Sequence, residues 1–286
     1  MFAAALWGTV GVTTRSLYMS SDANPLSVGF FRLALSAPAL LIACWLALGV
    51  RMFAIARPDR GPTLAIGAMM ALYQVCYFAA IPRVGVTVAT LITLCVAPVI
   101  VALLSLVLMR ERPAPLVGLA LLCALAGTAL LINIEFAGAS RADALVGVLL
   151  ALGSATAYAV LALCSRFLAN RCHPLQPIAI GFTVGAALLF GLSGAWPGGL
   201  VMHYPAVGWL HLLYLGLVPT ALGYFVFLEG MRTTPATVAT IATLVEPLTS
   251  ALLAWLLFDE RLGSSGWLGA ALLLGAMTML YRDGRR

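Results

Sequence analysis

Glu246 is the one acid that falls near the middle of a long apolar run, where an ionised side chain needs a partner or a proton. Three chemistries fit such a group. It can bind a substrate ammonium, carry a proton down a gradient, or sit protonated in a hydrogen bond to a neighbouring helix. Aromatic side chains with polar tips accompany it: Tyr73 and Tyr77 are four apart on one helix face with Gln74 beside them, and Trp7, Tyr158 and Tyr224 lie inside other apolar runs. Facing a cavity, such rings stack on an apolar or aromatic solute while hydroxyl, indole and amide groups orient its polar end. Thr90, Thr93, Thr240 and Thr243 supply hydroxyls close to Pro98 and Pro247. Each of those prolines deprives the carbonyl four residues earlier, on Leu94 and Thr243, of its usual amide, so a polar cavity or a side chain must serve it.

The pattern does not suit catalysis. With no Lys among the sixteen cationic residues, a Schiff base is excluded. His173, His203 and His211 fit no paired metal or haem spacing. The six Cys (Cys44, Cys76, Cys95, Cys123, Cys164, Cys172) are scattered singly and read as small packing residues. No clustered carboxylates, nucleophile–base pair or nucleotide-binding loop stands out. The expectation is therefore a protein that is not an enzyme, holds no cofactor or metal, and works on a small-molecule substrate.

The elements that must position these residues are lipid-spanning helices. Hydrophobic residues make up 63% of 286 positions and charged ones 9%, against roughly 45–50% and about 25% in soluble domains. Apolar runs bounded by Arg, Pro, Gly and Asn predict ten segments: 2–19, 26–48, 62–81, 84–109, 115–134, 144–168, 175–195, 206–228, 235–258 and 264–281. Asn24 before Pro25 and Thr234 before Pro235 have the chemistry of helix starts. The first segment begins at Phe2 without a basic region ahead of it, so it reads as a membrane helix rather than a cleavable signal. With the N-terminus inside, eleven Arg fall in cytoplasmic loops, while Arg15, Arg83, Arg141 and Arg261 are external and Arg32 alone is within a helix. That bias places both termini in the cytoplasm. The formal charge of +6 is thus a matter of orientation, not of nucleic acid. Arg32, inside the second segment, can snorkel toward water, bind a substrate carboxylate or serve a structural role, and Glu229 is expected to pair with Arg232.

The chain also repeats itself. Thr87-Val88-Ala89-Thr90 recurs as Thr237-Val238-Ala239-Thr240, and Thr93-Leu94 as Thr243-Leu244. After a one-residue slip, Pro98 matches Pro247 and Glu111-Arg112 matches Glu260-Arg261; Trp7 and Arg15 align with Tyr158 and Arg166. The halves are 1–138 and 139–286. Five helices per half force opposite polarity in the membrane, the inverted-repeat architecture of secondary transporters. Pro98 and Pro247 then read as paired hinges beside the solute path. The series Gly147, Ala151, Ala155, Ala159 predicts close helix packing in the sixth segment.

Trp7-Gly8, Phe30-Phe31-Arg32-Leu33, the Leu244–Pro247 stretch with its Glu, and the two Glu-Arg pairs together resemble the EamA-type drug/metabolite transporter superfamily, along the whole chain. Within it the sequence is most similar to the YddG-type exporters of aromatic and other neutral amino acids. The resemblance implies an all-α membrane protein of ten transmembrane helices in two inverted repeats. It also implies a central cavity lined mainly by segments one, three, four, six, eight and nine, and outward movement of small metabolites. The expected setting is multi-pass in a bacterial cytoplasmic membrane, surrounded by lipid, as a monomer or weak dimer.

Overall fold

The computed structural model describes residues 2–109, 115–132, 141–168, 171–195, 198–231, 236–261 and 263–283, with side chains left undescribed at 102, 105–109, 115–117, 121, 128–129, 131–132, 228–231, 236–244 and 280–283. Among these residues all regular structure is helical: α1 (Phe2–Ser20), α2 (Pro25–Leu48), α3 (Arg57–Met109), α4 (Pro115–Ile132), α5 (Arg141–Leu168), α6 (Leu175–Leu192), α7 (Ala206–Leu215), α8 (Gly223–Met231), α9 (Ala236–Phe258) and α10 (Ser264–Asp283). Five stretches are long and apolar enough to cross a membrane: Pro25–Phe53, Arg57–Val101, Arg141–Leu168, Leu175–Leu192 and Ala206–Phe227. Shorter apolar helices at Gly118–Gly127, Val245–Phe258 and Ser264–Met279 lie among them. Leu46, Leu122, Leu210 and Trp267 are among many large apolar side chains left open on the outside. Such a surface would aggregate in water and is at home in lipid.

Local chemistry explains the segment ends. Asn24 caps α2 by accepting the Ser27 amide at 2.8 Å, and Pro25 occupies the first turn, where a missing N–H costs nothing. The break expected between 81 and 84 falls at Gly85, where two helices meet across a kink within α3. Gly85 (φ 77°, ψ 168°) turns the chain so sharply that α3 forms two arms, 57–84 and 86–109. Pro219 has a different effect: between α7 and α8 the helix widens into a π-turn over Gly216–Leu222. Pro219 cannot donate to Leu215, and the Thr220 hydroxyl donates to that carbonyl at 2.7 Å in its place.

Packing follows small residues. Gly147, Ala151, Ala155 and Ala159 are all buried, as the four-residue series predicts, and α5 lies along both arms of α3. Ser154 donates to the Tyr73 carbonyl at 3.1 Å, and Thr93 to the Ala151 carbonyl at 3.4 Å. A side chain at Gly147 would place its Cβ 2.6 Å from Val84 Cγ1 and 2.8 Å from Arg83 Cβ. Gly147→Val is therefore expected to destabilise the bundle by about 1–3 kcal/mol, read as a lower unfolding midpoint in detergent; an unchanged midpoint would refute close packing here. α4 packs on α10, α1 on α9, and α6 on α2 and α3.

Two ends of the bundle can be told apart by their contacts. Arg15, Phe78, Val86, Thr87 and Glu260 meet at one, with Val201 donating to Ser27 Oγ nearby. At the other, Arg171 pairs with Asp59 at 2.5 Å, and Gln176 donates to the Met52 carbonyl at 2.8 Å.

Candidate functional site

A cavity of about 310 Å³ lies inside the bundle, walled by α1, both arms of α3, α5, α6, α8, α9 and α10. Trp7 comes early in α1, Ser165 late in α5, Ile178 early in α6 and Phe227 late in α8, so the cavity sits toward the Asp59–Arg171 end. Its walls are aromatic. The Trp7 ring is 5.1 Å from both Tyr224 and Phe227, and Tyr224 is met edge-on by Phe182 at 5.1 Å, distances typical of favourable ring pairs.

Polar groups interrupt this lining at Trp7, Tyr158, Ser165, Tyr224 and Glu246. Glu246 on α9 faces the cavity, and among the described residues its carboxylate accepts no hydrogen bond. The Trp7 indole N–H is buried against Gly223, where an added Cβ would lie 2.8 Å from it, and has no partner among the described residues. A carboxyl group without a described partner thus faces an aromatic cavity, an arrangement that leaves hydrogen bonds for a ligand to complete.

Behind the wall lies Arg32. It is buried rather than snorkelling, with 5% of its surface exposed. The reason is the hydrogen bonding around it. Nε donates to Thr220 Oγ at 2.7 Å, a guanidinium nitrogen donates to Gln74 Oε1 at 3.1 Å, and the group lies 5.9 Å from the Phe78 ring centre. The π-turn positions Thr220 for this, since its hydroxyl proton already serves Leu215 and its lone pairs remain free to accept. Arg32 and Glu246 are also electrostatic neighbours, so the buried cation counters part of what burial costs the cavity carboxyl when ionised.

Of the residues singled out in the sequence, Trp7, Tyr158, Tyr224, Glu246 and Pro98 line the cavity, Pro98 together with Leu94, whose amide partner it removes. Tyr73, Gln74, Tyr77, Thr90 and Thr93 do not. Tyr73 stacks against Tyr77 (6.0 Å) and leans on Tyr158 (5.7 Å), while Gln74 is held by Arg32. Tyr77 and Thr90 hydroxyls are 2.8 Å apart, and Thr90 continues to Ser250 at 3.0 Å, a closed polar chain toward the Glu260 end. Thr93 is spent on α5. Pro247 is buried beside Glu246 but is not in the wall. The side chains of Thr240, Thr243 and Glu229, and residues Glu111, Arg112 and Arg232, lie outside those described. Sequence reasoning missed Phe182 and Phe227, which have no polar atom to draw notice, although Phe227 is three residues past Tyr224 on the same helix face. No group of His, Cys, Asp and Glu suited to a metal ion occurs among the described residues.

Comparison with known proteins adds a family. The model of the EamA-like transporter family matches residues 1–133 and 145–282. The chain is 35% identical over its whole length to the uncharacterized transporter YwfM of Bacillus subtilis, covering 93% of that protein. It is 28% identical, again over its whole length, to the uncharacterized inner membrane transporter YicL of Salmonella typhimurium, covering 95% of it. A crystal structure with 23% identity superposes with a TM-score of 0.67, covering all of this chain and 96% of that one, which speaks to the fold.

Proposed function

Because this chain belongs to the EamA-like transporter family, and is thus a membrane transporter rather than an enzyme, we propose that it exports small neutral amino acids, chiefly aromatic ones, by alternating access at the Glu246 cavity. The observation that carries this reading is the unpartnered carboxyl of Glu246 in an aromatic chamber. An amino acid supplies an ammonium for Glu246, while its side chain stacks on Trp7, Phe182, Tyr224 and Phe227. The volume is at the low end of the roughly 300–1,000 Å³ usual for small-molecule sites, which suits one metabolite better than a lipid or peptide.

Ten spans in two inverted halves, with both termini in the cytoplasm of a bacterial cell, complete the proposal. The doubled family match and the repeated Thr, Pro and Glu-Arg positions support the halves, and the arginine distribution supports the orientation. On that orientation the cavity is set toward the cytoplasm, where an exporter must capture its solute.

A second reading, export of organic cations or other metabolites, is favoured by one observation: no basic residue lines the cavity among those described, and Arg32 is already engaged. Counterflow in liposomes separates the two. Protein loaded with unlabelled tryptophan is expected to accumulate labelled tryptophan transiently and saturably, and to do so less with phenylethylamine inside. Preference for phenylethylamine would favour the cation reading, and linear flux without counterflow would contradict a carrier.

A further inference from the structure

At the end of the bundle away from the cavity, one carboxylate joins three helical segments. Glu260 follows α9, and its Oε1 accepts the Val86 amide at 3.0 Å, while Oε2 accepts the Thr87 amide at 3.0 Å and the Thr87 hydroxyl at 2.9 Å. Arg15 of α1 pairs with Oε1 and lies over the Phe258 ring, 4.5 Å from its centre. The two amides are free because the chain breaks at Gly85. They are the opening N–H groups of the second arm of α3, and the helix dipole adds to their pull on an anion. Gly85 itself is part of the fit, since a Cβ there would lie 2.9 Å from Oε1. Directly beneath is the Tyr77–Thr90–Ser250 chain, with Tyr18 donating to the Phe78 carbonyl at 3.1 Å.

These contacts bind α1, the bend of α3 and the end of α9 into a closed floor, yet the fastening is one side chain at a half-wet edge. The Arg15 and Glu260 side chains retain 31% and 16% exposure, so water is at hand to receive the carboxylate on release. We propose that Glu260 is the latch of the outer gate, and that outward opening consists of its withdrawal from the Val86 and Thr87 amides. This rests on the alternating-access reading above but is tested without a substrate.

Glu260→Gln keeps the size of the side chain but turns an NH₂ toward groups that are themselves donors, and removes the charge that Arg15 and the helix end attract. Gly85→Ala disturbs the same contact with every charge intact, through its positive φ and the intruding Cβ. The six native cysteines, all free thiols, are first replaced in the full chain. Ser250→Cys then reports from beneath the latch, and Ser165→Cys from the cavity, each labelled by an impermeant maleimide applied to one face of sealed vesicles. Both variants are expected to raise outer-face labelling at 250 by about tenfold or more, the factor lost with one charge-assisted hydrogen bond, and to lower labelling at 165. Faster labelling at 250 with no change at 165 would support the latch and count against alternation. Unchanged labelling at 250 in both variants would overturn the latch while leaving the tryptophan counterflow to judge the transport reading. Acceleration at both sites would mean general loosening and would overturn it as well.

Discussion

Glu246→Gln is expected to lower tryptophan counterflow by about 10- to 100-fold while leaving flux of indole-3-propionate, which has no ammonium, within a few-fold of the parent. A hydrogen bond to a charged group contributes about 1.5–3 kcal/mol, and each 1.4 kcal/mol is a factor of ten. The carboxylate has no competing donor among the described residues, so a substrate ammonium meets it at little cost in broken bonds. The same variant should keep its fold, because Arg32 retains its hydrogen bonds to Thr220 and Gln74. An ionised side chain at membrane depth costs roughly 2.5–3.5 kcal/mol or more, and the relief of that cost works against the loss of attraction to Arg32. Lost transport combined with retained thermal stability in detergent would be the signature of a binding carboxylate. Equal loss for both solutes would assign Glu246 to the scaffold instead.

Arg32→Leu carries the opposite signature, a large loss of stability of about 3–5 kcal/mol, the scale seen when one member of a buried ionic set is removed. Three costs add. Gln74 Oε1 and Thr220 Oγ each lose a donor in a buried setting, and the Glu246 carboxylate loses the nearby cation that offsets it. Arg32→Lys should not restore the fold, because a single ammonium cannot hold Thr220 and Gln74 in the planar geometry of the guanidinium. The double variant with Glu246→Gln tests the charge argument. If the two groups offset one another, adding the second change should recover part of the loss, and a denaturant titration of all four proteins gives the coupling. Strict additivity would show that Arg32 matters only through its hydrogen bonds.

Much of this architecture is legible in the residues themselves. Apolar runs and their breakers outline the helices, Asn24-Pro25 marks a helix start, and the Gly147–Ala159 series shows which face of α5 is buried. Glu246 and Pro98 stand out because a charge and a missing amide inside an apolar run each demand a polar neighbour, and both prove to face the cavity. What periodicity cannot say is which way a shared face points. Tyr73 and Tyr77 do lie on one side of their helix, but they meet α5, α1 and the second arm of α3 and are not in the chamber wall. Long-range chemistry was hidden as well. Nothing in Phe30-Phe31-Arg32-Leu33 reveals that Thr220, itself recruited by the proline before it, will hold Arg32 away from water. The turn at Gly85 was visible only as a short gap, whereas its consequence, two amides left for Glu260, depends on a contact across 174 residues.

The most direct test of a carrier built around this chamber is substrate protection at Ser165→Cys in the cysteine-free chain. Labelling by an impermeant maleimide is expected from the face that carries the chain termini, and saturating tryptophan should slow it in proportion to occupancy, with Glu246→Gln abolishing the protection. A labelling rate indifferent to tryptophan and phenylalanine, or reaction only from the opposite face, would contradict the account.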